Sequence, residues 1–198
     1  MWCKDIRNIV TTEDLDSFVK VTLIPTVNDW KLDNKSNFLR LGLNSMQQYR
    51  IKFILGKITA YVDALRLGKT TVDDLTSYTQ TAVEIEHIMP QTCNDKGMYG
   101  MNEEEFSTYI NRLGNLTLLE NSINKSIHND VYANKSIAYK QSKFYLTSSL
   151  SSLVNQGQDT AINRTNLLLS AWPDWNKQSI EARQEMLYRL SEMIWGLQ

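Results

Sequence analysis

The stretch Val83-Glu84-Ile85-Glu86-His87-Ile88-Met89-Pro90-Gln91 sets a carboxylate directly beside one of the chain's two histidines. Glu84-Ile85-Glu86 alternates polar and apolar as a half-buried strand does. Pro90 has no N–H to give a ladder and ends the pairing just past the histidine, so His87 stands at a strand end. A neutral imidazole takes a proton from water near neutral pH, its reference pKa being about 6.5, and a carboxylate such as Glu86 holds a hard cation through oxygen. Together the two residues have the chemistry to hydrolyse a phosphodiester. A strict strand turns Glu86 and His87 to opposite faces, so joint action requires a twist or bulge at the strand end.

Two further polar anchors lie downstream, in Arg112-Leu113-Gly114-Asn115-Leu116-Thr117-Leu118-Leu119-Glu120-Asn121-Ser122-Ile123-Asn124-Lys125. A catalytic cation held by one carboxylate needs another oxygen ligand while keeping positions open for water and phosphate, and Asn124 is the candidate. The loop carrying a base must also be held still, which the Asn115 amide can do by bonding backbone groups. Each residue has a plainer reading. Glu86 suits a surface strand acid, His87 a core histidine and Asn115 a simple turn, while Asn121 and Asn124 both suit a helix start. His128 shares a helix face with Asn124 and suits either exposed surface or a metal or phosphate contact. Glu84 points to the same side as Glu86 in an ideal strand but has no role in this scheme.

In order, Glu-His-Ile-x-Pro-Gln, Leu-Gly-Asn-Leu-Thr-Leu-Leu and Asn-x-x-Asn-Lys resemble the HNH, or His-Me finger, nucleases. More narrowly, the chain resembles the C-terminal nuclease domain of the GmrSD-type, modification-dependent type IV restriction endonucleases. The resemblance implies a mainly α fold: a helical domain with an embedded ββα-metal (HNH) motif and a small two-stranded hairpin. It implies a metal-dependent DNA endonuclease in which Glu86 and Asn124 hold a divalent ion, Mg²⁺ or Mn²⁺, His87 is the general base and Asn115 the orienting amide. Lys135, Tyr139, Ser142, Trp175, Ile180, Arg183 and Trp195 look like further family positions, whereas residues 146–172 carry no matching motif. The family usually works with a nucleotide-hydrolysing sensor domain, on the same or another chain, that detects modified DNA. This chain lacks a Walker-type loop and so reads as the nuclease half of a restriction or phage-defence system. The rival readings are a non-catalytic nucleic-acid-binding or regulatory helical module, and a nonspecific RNA or DNA defence nuclease.

Composition sets looser bounds. The chain has 198 residues, 42% of them hydrophobic, and three prolines, enough for a sizeable core. Its net charge of −1 argues against gripping DNA unaided, because clustered Lys and Arg supply most non-specific affinity. Arg112, Lys125 and Lys135 are the candidate phosphate contacts; Lys140 and Lys143 suit a solvated helix face, and acids gather at Glu103–Glu105. Cys3 and Cys93 make no disulfide framework and lack metal-ligand spacing, so a reducing cytoplasm is expected. No apolar run approaches the roughly 20 residues that span a bilayer.

The expected organisation is a helical N-terminal part (1–80), the nuclease core (81–145) and C-terminal helices packing on it (146–198). Helix is expected around Thr11–Val21 and over Met46–Leu67, with Gly68 as its cap. Turns fall at Asn28-Asp29 and Asp33-Asn34. Asn102-Glu103-Glu104-Glu105 opens a short helix through Arg112 that Gly114 closes, and Asn94–Gly100 reads as a flexible loop. Leu116–Leu119 is the second strand, and helix then runs from Asn121 to about Tyr145. Ser148–Gln158 reads as a linker loop, Asn163–Ala171 and Ser179–Trp195 are the last helices, and Trp172, Trp175 and Trp195 are assigned to the core.

Overall fold

The computed structural model describes residues 9–25, 35–72 and 74–195, and contacts divide the chain into units at residues 1–38 and 39–198. In the first unit, α1 (Thr12–Phe18) opens with a capping box: the Thr11 hydroxyl accepts from the Asp14 N–H and the Asp14 carboxylate accepts from the Thr11 N–H. A π-helical turn at Val19–Leu23 continues it, and α2 (Lys35–Phe38) closes the unit. The turns expected at Asn28-Asp29 and Asp33-Asn34 lie outside the described residues.

The second unit is mainly helical around a small hairpin. Helix α3 (Gln48–Arg66) buries Ile51, Leu55, Ile58 and Val62, a spacing that puts all four on one stripe. Its end is a Schellman turn: Gly68 takes φ +69°, its N–H bonds Leu65 O, and the Lys69 N–H bonds Ala64 O. After α4 (Thr76–Thr79), strand β1 (Val83–His87) pairs antiparallel with β2 (Leu116–Glu120), with Val83 opposite Glu120 and His87 opposite Leu116. The connection carries a 3₁₀ turn at Lys96–Tyr99, started by the Asp95 side chain on Gly97 N, then α5 (Glu103–Tyr109) with the expected capping box. The segment expected to be flexible is thus partly regular.

Three boundaries differ from expectation for tertiary reasons. Helix α5 stops at Tyr109 because the chain beyond it pairs elsewhere: Leu43 N bonds Asn111 O and Leu113 N bonds Leu41 O, around a Gly42–Arg112 bridge. The helix expected from Asn121 to Tyr145 is three pieces, α6 (Asn121–Ile127), α7 (Tyr132–Tyr139) and α8 (Tyr145–Ser148). It breaks where Asn129 bonds both the backbone and the hydroxyl of Thr92, and His128 takes φ 44°. Helix α9 (Ala161–Asn166) is shorter and earlier than expected because Thr160 caps it, and α10 (Lys177–Trp195) ends with Trp195 on the surface, outside the core assigned to it.

Gly114 does not cap a helix; it lies in a 3₁₀ turn, Leu113–Asn115, against which α10 packs. A Cβ on Gly114 would sit 2.3 Å from the carbonyl oxygen of Ile180. Arg183 of α10, fully buried, reaches the same turn and donates from Nη1 to the Gly114 and Leu116 carbonyls at 2.8 and 2.7 Å. Since the obstacle is backbone, Gly114→Ala is expected to cost about 2–3 kcal/mol, the upper range for overpacking, read as a fall in the urea midpoint. An unchanged midpoint would contradict this packing.

Candidate active site

Glu86 is nearly buried, at 5% exposure, and its Oε1 accepts from the Lys135 ammonium at 2.7 Å and the Tyr139 hydroxyl at 2.9 Å. Lys135 is itself only 1% exposed and also donates to the His87 carbonyl at 2.7 Å. Burial raises the Glu86 carboxyl above its ordinary pKa, and Lys135 and Tyr139 oppose that rise. Tyr139 is held well above its ordinary value, first by burial and then by the charge of Glu86. Lys135, expected on phosphate, is in the structure the buried counter-ion of Glu86.

His87 is 8% exposed. Its Nδ1 lies 2.8 Å from the Gln91 amide nitrogen and its Nε2 lies 3.2 Å from the Asn111 amide oxygen. Burial lowers its pKa, the Lys135 charge adds to that, and the Asn111 hydrogen bond opposes it. Burial thus favours the uncharged ring.

Asn115 has no exposed surface. Its Oδ1 accepts from Met89 N at 2.8 Å and from the Trp175 indole N–H at 2.9 Å, while its Nδ2 donates to Ile110 O at 2.8 Å. One amide thus ties the loop after His87 to the chain end of α5 and to the segment before α10. Asn124, on α6, donates from Nδ2 to Glu84 Oε2 at 2.6 Å, so Glu84 has a role that the sequence did not signal. Among the described residues no hydrogen bond occupies the Asn124 amide oxygen.

An open cavity of about 300 Å³ brings Glu86, His87, Asn124, Lys125 and Lys135 together, with Ile85, Gln91, His128 and Asn129 completing its wall. It takes three consecutive residues of β1 and none of β2, so Glu86 and His87, successive along the strand, both line it. Lys125 is exposed at the rim, and His128 lies beside it in an unusual backbone conformation, φ 44° and ψ −137°. Arg112 does not line the cavity; its guanidinium lies 3.8 Å above the Tyr109 ring. Asn111 and Gln91 are the site residues that sequence reading passed over. Gln91 stood in the quoted motif, but no local pattern marks Asn111.

Among the described residues no three His, Cys, Asp or Glu side chains converge to hold a metal ion. Among the side chains lining the cavity, Glu86 and Asn124 offer a cation a carboxylate and an amide oxygen. Both are oxygens, which fits a hard ion such as Mg²⁺ that keeps several waters and takes only one or two carboxylates.

A model of the GmrSD restriction endonucleases, C-terminal domain, matches residues 28–190. The chain belongs to this family. No curated protein matches it. The match to the GmrSD C-terminal domain takes in the hairpin, the cavity and most of α10, and it makes the chain a nuclease domain of the restriction-endonuclease type. Lys135, Tyr139, Trp175 and Arg183, matched to the family by motif alone, are all buried in this member, around Glu86, Asn115 and the turn before β2. Among the described residues no helix is long and apolar enough to cross a membrane.

Proposed function

We propose that this GmrSD C-terminal domain is an HNH-type, metal-dependent DNA endonuclease, the nuclease part of a modification-dependent restriction or phage-defence system. The observation that carries the reading is the convergence of a neutral imidazole, a carboxylate and an amide oxygen on one open cavity with Lys125 at its rim. His87 takes a proton from water at Nδ1 as the water oxygen bonds phosphorus and the bond to the leaving oxygen breaks. Gln91, whose amide holds Nδ1 at rest, must give way to that water. Asn115 keeps the loop carrying Met89 fixed, and Lys125 meets a phosphate oxygen. A divalent ion, Mg²⁺ or Mn²⁺, held by Glu86 and the Asn124 amide oxygen, would neutralise charge building on the phosphate and leaving oxygen. Lys135 keeps Glu86 ionised in its buried setting, where a carboxylate would otherwise take up a proton.

A net charge of −1 leaves DNA affinity to a partner, a nucleotide-hydrolysing sensor domain on the same or another chain that selects modified DNA. The cytoplasm is the compartment for such a system. The test is nicking of supercoiled plasmid by purified protein in Mg²⁺, in Mn²⁺ and in EDTA, beside modified plasmid and RNA. Cutting that needs metal and prefers DNA supports the reading. For Asn124→Ala, the metal concentration giving half-maximal cutting rises at least about tenfold. An unchanged metal titration removes Asn124 as a ligand, and absence of metal-stimulated nicking on every substrate overturns the proposal.

A further inference from the structure

We propose that Asn111 is a positioning residue for the reaction: backed by Asn44, it holds the His87 ring as the Nε2–H tautomer and leaves Nδ1 as the atom that takes the proton. The inference rests on the reading of His87 as the base.

The hydrogen bonds around the ring have only one consistent direction. The Gln91 amide nitrogen can only donate, so Nδ1, 2.8 Å away, must accept. A neutral imidazole has one N–H, which therefore sits on Nε2, and the Asn111 Oδ1 at 3.2 Å receives it. Asn111 cannot turn its amide round to suit the other tautomer at no cost. Its Nδ2 donates to Asn44 Oδ1 at 2.8 Å, so a flip must turn the Asn44 amide as well or set two oxygens against each other there.

The backbone holds both amides in register. Asn44 and Asn111 lie on segments clamped together by the bonds from Leu43 N to Asn111 O and from Leu113 N to Leu41 O, each 2.8 Å. The segment entering α3 thus reaches the base through two side chains, although 67 positions separate Asn44 from Asn111. An amide in this place orients the ring without bringing a charge, unlike the carboxylate that often backs a histidine base.

The chain has only two histidines, so long-range ¹H–¹⁵N spectra of the labelled protein show two rings, with exposed His128 as an internal reference. With the ring neutral, parent His87 is expected to show the Nε2–H pattern. With only the exposed Gln91 amide left on the ring, free to turn toward either tautomer, Asn111→Ala is expected to give averaged ring shifts and to lower kcat for plasmid nicking in Mg²⁺ by about 10- to 100-fold, with KM within about twofold. Asn111→Asp keeps an acceptor at Nε2 and, once the exposed Asn44 amide turns to donate to its second oxygen, is expected to restore both the pattern and most of kcat. Asn44→Ala, at an exposed position, perturbs in the same direction without threatening the fold. An Asn111→Ala protein that keeps the Nε2–H pattern and the parent kcat overturns the proposal. The ring pattern is read without cleavage, so failure of His87 as the base is seen separately, as a His87→Ala protein that cuts normally.

Discussion

His87→Ala lowers plasmid nicking by about 10²- to 10⁴-fold, the range lost with a general base, while the domain stays folded. The size follows from chemistry: among the residues lining the cavity, His87 is an imidazole whose burial favours its uncharged form, with Nδ1 turned toward the exposed Gln91. The modest effect on stability follows from its contacts. The ring's two side-chain bonds go to Gln91, which is exposed, and to Asn111, which keeps its bond to Asn44. The His87 carbonyl, which receives Lys135, is untouched. A loss of about 1–2 kcal/mol is expected, a few degrees in a chain of this size. Paired nicking and thermal melts of parent and variant decide it, and wild-type cutting by a folded variant would remove His87 from the mechanism.

Lys135→Met is expected to have the largest effect on stability. The substitution keeps much of the apolar stem but leaves the Glu86 carboxylate in a nearly closed setting with Tyr139 as its remaining side-chain donor. Removing one partner of a buried pair typically costs about 3–5 kcal/mol, because the other charge stays desolvated and unpaired. At about 2–4 °C per kcal/mol, that is a fall in Tm of roughly 6–20 °C. The same reasoning predicts that Lys135→Met combined with Glu86→Gln recovers most of the loss, since no lone charge remains. A single variant melting with the parent, or a double variant as unstable as the single, would contradict the assignment of Lys135 as counter-ion.

Much of the fold was legible because its signals are local. The α3 stripe, the Gly68 cap, the capping boxes at Thr11 and Asn102, and the alternation in β1 each depend on residues within a few positions of one another. The order acid-histidine, then Asn115, then Asn124 carried the family, which the match over residues 28–190 shows. What failed was decided at a distance. The break at His128 comes from Asn129 bonding Thr92, 37 positions away, and α5 ends early because Asn111 pairs with Leu43.

The residues alone determined a helical domain around a short hairpin, and set Glu86 and His87 side by side at the end of a strand, because pattern, caps and covalent adjacency need no knowledge of the rest of the chain. Only the folded chain decided what those residues face. Lys135 reads in the sequence as a family position and candidate phosphate contact, yet it lies 2.7 Å from Glu86 across 49 positions. Asn111 carries no pattern, yet it meets His87 across 24. Burial is the physical reason: once β1, α7 and the turn before β2 exclude water, each polar group must find its partner within the protein, and which partner is within reach depends on how distant segments pack.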